Sequence, residues 1–161
     1  MVFAKTAPAA AKLSQAIAGG TLQKEYLAVL ERSPERAEGE LSDLLFHDRF
    51  KNKTYVVSKE RKGVKKASLS YRVVAEADGL CLVHVRLHTG RTHQIRVHMA
   101  SIKHPLLGDD VYGPKKSKYT LEGQCLHAKV LGFVHPRTGE YMEFEVPLPE
   151  YFEKLLNKLD N

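Results

Sequence analysis

The sequence predicts an α+β fold, with a mixed, mainly antiparallel sheet and a few helices. Strand-like segments outnumber helical ones, and most of the connections between them are short. Ala67–Ala75 and Leu80–Leu87 also alternate apolar and polar residues around Asp78-Gly79, a dipeptide typical of two-residue hairpin turns. Because parallel strands need long crossovers, the short connections favour antiparallel pairing.

The amino-terminal part is predicted to contain a strand, a helix and a second strand. Met1–Ala4 is a short apolar run, which predicts a strand. Thr6 is a suitable N-cap for an alanine-rich helix over Ala7–Ala18, and a glycine pair follows that helix and ends it. Gln23–Leu30 combines an aromatic residue with branched ones, which predicts the second strand.

Strands and basic loops are predicted for the middle of the chain. A polar loop over Arg32–Gly39 leads to strands over Leu41–Phe46 and Thr54–Val57. The composition of Lys59–Lys66 indicates a basic hairpin tip before the Asp78-Gly79 hairpin.

Two helices and a second hairpin are predicted for the rest of the chain. His93–Ile102 has apolar residues at helical spacing. Cys125–Val134 and Met142–Val146 flank a turn that contains a glycine, which predicts the hairpin. Pro149–Leu159 is amphipathic and predicts a closing helix.

Length and composition indicate an ordinary globular protein. We expect one domain over residues 1–161, with a hydrophobic content of 43% and a charged content of 27%. No apolar run is long enough to span a membrane, and no secretion signal follows Met1, so we expect a cytoplasmic protein. The two cysteines have no metal-ligand spacing and are expected to be reduced.

The net charge of +6 and a pI near 9.3 favour a polyanionic partner such as RNA. Lysine and arginine that neutralise phosphates release counterions, which drives such binding. Charge alone leaves other classes of protein open, because many basic proteins bind no nucleic acid.

Residues 87–113 carry the densest set of candidate functional side chains. Thr89–Thr92 lies between a predicted strand and the start of a predicted helix, where free N–H groups can hold a phosphate. Arg91 adds a full positive charge at this point. The alternative is a plain turn in which Gly90 supplies backbone freedom and Arg91 lies in solvent.

Arg96 is predicted to lie beside the apolar stripe of its helix. A buried arginine needs a carboxylate or several acceptors, whereas the alternative is a side chain that reaches out to water. Asp109 and Asp110 are adjacent, fall in a loop and are interpreted as turn formers.

The histidines and Tyr26 have more than one interpretation. His93 and His98 point about 140° apart around a helix, so they do not converge and we predict no metal site. Tyr26 is either a core tyrosine of its strand or a ring that packs against a flipped base, and spacing does not decide between them.

Several segments together resemble the RluA-type RNA pseudouridine synthase family. They follow the family order over nearly the whole chain, and the third and fourth are highly specific. They are MVFAKT at the start, Lys24-Glu25-Tyr26, TGRTHQIRVHMA at 89–100, HPLLGDDVYG at 104–113 and LHAKVLGFVHPRTGE at 126–140.

The resemblance implies a reaction and a set of site residues. Enzymes of this family detach a uridine base, rotate it and rejoin it through carbon 5, after flipping it out of its stack and without a cofactor. Tyr26 would pack on the base, and Arg96 would pair with the catalytic aspartate. The residues implied in RNA contact are Arg91, His93, Gln94 and Lys103, of which the last replaces the usual glycine and implies either a different loop conformation or an extra phosphate contact.

The family aspartate lies in a His-Arg-Leu-Asp motif ahead of the MVFAKT-like segment, and this sequence has no such motif. We therefore expect an incomplete catalytic domain that lacks the amino-terminal strands of the fold and is inactive alone. Arg96 should be left without its designed partner, the aspartate of that motif, and an uncovered sheet edge should allow self-association. The alternative is a non-catalytic RNA-binding protein or scaffold with the same fold.

Overall fold

The computed structural model describes residues 1–119, 121 and 123–159. Three helices and seven strands follow one another over this part of the chain. In order they are α1 (Ala7–Ala18), β1 (Gln23–Leu30), β2 (Glu38–Asp48), β3 (Lys53–Val57), β4 (Val64–Ala77), β5 (Leu80–Leu87), α2 (Gln94–Ser101), β6 (Leu126–Val134), β7 (Tyr141–Glu145) and α3 (Glu150–Leu159).

The strands form one sheet in the order β3-β2-β4-β5-β1-β6-β7. Every neighbouring pair is antiparallel, which confirms the predicted α+β class with an antiparallel sheet. The two edges are β3 and β7, and β1 lies between β5 and β6.

Helices α2 and α3 cover opposite faces of the sheet, so β1 is buried on both sides. Ala28 and Leu30 pack in the cluster that receives Ile95 and Met99 of α2. The alternate β1 residues Leu27 and Val29 pack in the cluster that receives Phe152 and Leu155 of α3. Side chains of a strand alternate between faces, and this period places the candidate residue Tyr26 on the face of α2.

Met1–Ala4 does not form the predicted strand. Met1 and Phe3 are 101% and 80% exposed, and the segment makes no ladder with the sheet. A strand requires a partner for its backbone groups, and no strand of the described sheet pairs with this segment. The helix that follows does begin as predicted, since the Thr6 hydroxyl accepts a hydrogen bond from the Ala9 N–H at 3.4 Å.

The hairpin around Asp78-Gly79 is confirmed. Both residues have positive φ, 52° and 77°, as a type I′ turn requires, and β4 and β5 pair on either side of them. Other boundaries differ from the prediction: β2 begins at Glu38 within the predicted polar loop, and β4 begins at Val64 within the predicted basic tip. No helix in the described part of the chain is long and apolar enough to cross a membrane.

Candidate active site

Arg96 and Asp109 form a buried, bidentate ion pair. Arg96 Nε donates to Asp109 Oδ2 at 2.7 Å, and Arg96 Nη2 donates to Asp109 Oδ1 at 2.8 Å. The side chains are 10% and 0% exposed. The His-Arg-Leu-Asp motif that carries the family's aspartate is absent from this sequence, and the loop after α2 brings a different carboxylate, Asp109, to Arg96.

Asp109 is held in its charged form by this contact and by the loop. Its Oδ1 also accepts hydrogen bonds from the backbone N–H groups of Val111 at 3.0 Å and Tyr112 at 2.9 Å. Burial raises the pKa of Asp109, but the hydrogen bonds from Arg96 and Tyr112 lower it by more, so that it lies below its ordinary value. The hydrogen bond to Asp109 likewise raises the pKa of Arg96. Asp109 is thus a turn former, as predicted, and also the counterion of Arg96.

Tyr112 connects this ion pair to the start of α2. The guanidinium carbon of Arg96 lies 5.1 Å from the centre of the Tyr112 ring. The Tyr112 hydroxyl accepts a hydrogen bond from the Thr54 N–H at 2.7 Å and lies 2.9 Å from His93 Nδ1. Tyr112 therefore contacts both Arg96 and His93 and lies between them.

His93 is the N-cap of α2 and has a left-handed backbone, with φ 55° and ψ 22°. This conformation costs energy in a residue with a side chain and persists where neighbouring contacts hold it. Burial, followed by the positive charge of Arg96, lowers the pKa of His93. The imidazole is therefore neutral near pH 7.

Tyr26 lies in the middle of β1, half-buried against the cluster beneath α2. Burial raises the pKa of its hydroxyl. In the described part of the chain, no protein group makes a hydrogen bond with that hydroxyl. Tyr26 and Arg96 therefore belong to the same face of the sheet, one from the strand and the other from the covering helix.

Gln94 lies beneath the loop at 89–92 and holds it in place through hydrogen bonds. Its Oε1 accepts hydrogen bonds from the Thr89 hydroxyl at 2.8 Å and from the Arg91 N–H at 2.9 Å. Its Nε2 donates to the Ser68 carbonyl at 2.9 Å, and the residue is only 3% exposed. The Thr89 N–H also donates to the Ser68 carbonyl at 3.3 Å, so two backbone donors of the predicted phosphate loop are used internally.

Arg91 lies on the surface beside a half-buried lysine. Its Nε donates to the Lys66 carbonyl at 3.0 Å. A Cβ at Gly90 would lie 2.7 Å from Lys24 Nζ, so glycine leaves the space that Lys24 occupies. Burial and then the charge of Arg91 lower the pKa of Lys24. Two cations are held together here, which favours an anionic ligand.

Lys103 adopts the backbone that its usual glycine would favour. Its φ is 67° and it follows the C-cap of α2. The Lys103 N–H donates to the Ala100 carbonyl at 3.0 Å, and the His104 N–H donates to the Met99 carbonyl at 2.9 Å. These two bonds form a Schellman motif, in which glycine is the usual residue at the left-handed position that Lys103 occupies.

Sequence reasoning missed the roles of four residues of this region: Lys24, Thr54, Asp109 and Tyr112. The role of Asp109 could have been predicted, because a buried arginine requires a carboxylate and Asp109 follows the helix of Arg96 after a short loop. Thr54 and Tyr112 carry no local signal, since their contacts join residues 58 positions apart.

Comparison with known proteins assigns the family. Residues 1–101 match the family described as RNA pseudouridylate synthase. An uncharacterised RNA pseudouridine synthase of Bacillus subtilis is 39% identical over 159 residues, which cover 99% of this chain and 51% of that protein. The ribosomal large subunit pseudouridine synthase D of Haemophilus influenzae is 40% identical over 171 residues, covering 99% and 52%.

A solved structure shares the fold. Human RNA pseudouridylate synthase domain containing 4 superposes with a TM-score of 0.77 at 20% identity, over 96% of this chain and 69% of that one. The chain spans about half the length of the curated relatives it matches. By the family match and these identities, the chain belongs to the RNA pseudouridylate synthase family.

Proposed function

We propose that this chain supplies part of the active site of an enzyme that isomerises uridine to pseudouridine in RNA. The family match carries the proposal, because it spans both Tyr26 and Arg96. Tyr26 packs on the flipped base, and its unpaired hydroxyl faces the substrate. Asp109 engages Nε and Nη2 of Arg96, and the remaining Nη1 is the group that meets the family's catalytic aspartate.

Residues 1–161 then form one part of a catalytic domain and do not turn over RNA alone. Release of tritium from RNA labelled at uridine carbon 5 measures the reaction directly. The isolated chain is expected to release none above background, and robust turnover by it contradicts its inactivity.

A second experiment adds the His-Arg-Leu-Asp motif to the chain and measures whether activity appears. A segment carrying His-Arg-Leu-Asp, fused ahead of Met1, is expected to give tritium release. In that fusion Tyr26→Leu should lower the rate by a factor on the order of 100, because the base is no longer positioned. Tyr151→Leu is the matched control, since Tyr151 lies on α3, against the opposite face of the sheet. Equal rates for the two variants contradict the role of Tyr26.

We propose ribosomal RNA of the large subunit as the substrate, in the cytoplasm and without a cofactor. Two relatives at 36% and 40% identity are named ribosomal large subunit pseudouridine synthase D. Transfer RNA is the other candidate substrate. Tritium release by the fusion from each labelled RNA separates them.

The second candidate is a non-catalytic RNA-binding protein or scaffold. The absence of His-Arg-Leu-Asp from the 161 residues and the net charge of +6 favour it. It predicts salt-dependent RNA binding together with an inactive fusion. An in-frame His-Arg-Leu-Asp in the DNA that precedes the Met1 codon favours the enzyme.

Self-association through a sheet edge is a further expectation for the isolated chain. β7 is an edge strand, and its Tyr141 and Phe144 are 54% and 50% exposed. Sedimentation should show dimers that Phe144→Lys disrupts. A monomer at all concentrations contradicts pairing through β7.

A further inference from the structure

A basic groove lies between the β2–β3 hairpin, the beginning of β4 and the loop before α2. Its volume is about 540 Å³. Among the described residues, its charged lining consists of Arg49, Lys65 and Arg91, and no aspartate or glutamate lines it. Of the described lining residues His47 alone carries a ring, so this lining offers no phenyl or phenol face on which a base could stack.

The cations of the groove are not neutralised by the protein. Over the described residues, no carboxylate forms an ion pair with Arg49, Lys65 or Arg91. The Lys66 carbonyl binds Nε of Arg91, which fixes the side chain and leaves its terminal nitrogens for another acceptor. Like charges held together without counterions stabilise a bound anion.

The floor of the groove is a hydrogen-bonded array that fixes the orientation of two histidines. The Thr54 hydroxyl donates to the Thr92 carbonyl at 2.9 Å, so it accepts from His47 Nδ1 at 3.0 Å. The Tyr112 hydroxyl accepts the Thr54 N–H, and among the described residues its other hydrogen-bond partner is His93 Nδ1, so we assign the hydroxyl proton to that nitrogen.

This array is held in the interior of the protein. Thr54 is only 2% exposed, and the rings of His47 and His93 contact edge to face with centres 6.1 Å apart. The array therefore gives the groove a fixed floor, and the three cations beside it are suited to a phosphate oxygen.

We propose that this groove binds a phosphodiester of the RNA strand next to the target nucleoside, with Arg49 and Lys65 as contacts in addition to Arg91. The proposal rests on the proposed function, because it requires an RNA substrate. The Tyr112 ring lies between the groove and Arg96, so a strand held here continues toward the candidate active site. Phosphate contacts set the register of a nucleic acid and read no sequence.

The test is the salt dependence of binding to a fluorescein-labelled single-stranded RNA oligonucleotide, followed by anisotropy. Arg49→Gln/Lys65→Gln removes two exposed cations and leaves Arg91 in place. The slope of log affinity against log salt should become shallower by about 0.7 for each phosphate that the variant no longer neutralises. The matched control, Lys5→Gln/Lys158→Gln, removes two exposed lysines elsewhere and should keep the wild-type slope.

The outcomes separate the groove from the proposed function. If the wild type binds RNA and the groove variant keeps the wild-type slope, the groove does not bind phosphate. The same follows if the slope of the control variant decreases as much as that of the groove variant. No RNA binding by the folded wild-type chain overturns both. A methylphosphonate oligonucleotide, whose backbone is uncharged, should bind the wild type and the groove variant equally. If the groove variant loses as much affinity for polyglutamate as for RNA, the groove binds anions in general, and the proposal that it binds a phosphodiester is wrong.

Discussion

Replacing Asp109 by asparagine should destabilise the protein strongly, because it leaves the Arg96 charge buried with one neutral acceptor. Arg96 is 10% exposed and has two short hydrogen bonds to this carboxylate. Removing one member of a buried ion pair costs about 3–5 kcal/mol. The amide oxygen can still accept the N–H groups of Val111 and Tyr112, so the loss of stability reports mainly on the ion pair.

The measurement is the free energy of unfolding from urea titration, followed by circular dichroism. Asp110→Asn is the matched control, because Asp110 lies 3.9 Å from the same guanidinium with a side chain that is 89% exposed. An exposed pair contributes at most about 1 kcal/mol, so the control should stay near the wild type. A destabilisation below about 1 kcal/mol for Asp109→Asn would refute the claim that this pair is buried and mutually dependent.

Three further substitutions test neighbouring features. Lys103→Gly should stabilise the protein by about 1 kcal/mol in urea titration, because it relieves a left-handed backbone, whereas Lys103→Ala should give no gain. Tyr112→Phe removes the donor to neutral His93, so the pKa of His93 measured by NMR should rise, and an unchanged pKa contradicts the proton assignment. His98 is fully buried, and burial outweighs the Asp43 charge and lowers its pKa. The unfolded state therefore binds more protons below about pH 6.5, and the wild type loses stability as pH falls. His98→Leu should lessen that loss, and parallel pH profiles for the two proteins contradict it.

The sequence by itself determined the elements whose cause is local. The Asp78-Gly79 turn, the Thr6 cap and the helical period of α2 each depend on residues within a few positions of one another. Such signals are present in any short window, and the structure confirms all three. The family motifs likewise needed only their order along the chain, and the comparisons confirm the family.

Only the tertiary structure decided which partners the functional side chains have. Met1–Ala4 has the composition of a strand, but no strand of the described sheet pairs with it. The sequence lacks the motif whose aspartate the family pairs with Arg96, and the loop after α2 brings Asp109 to this arginine, 13 residues along the chain. Both outcomes depend on groups that meet through folding, and residue type and spacing do not fix which groups meet.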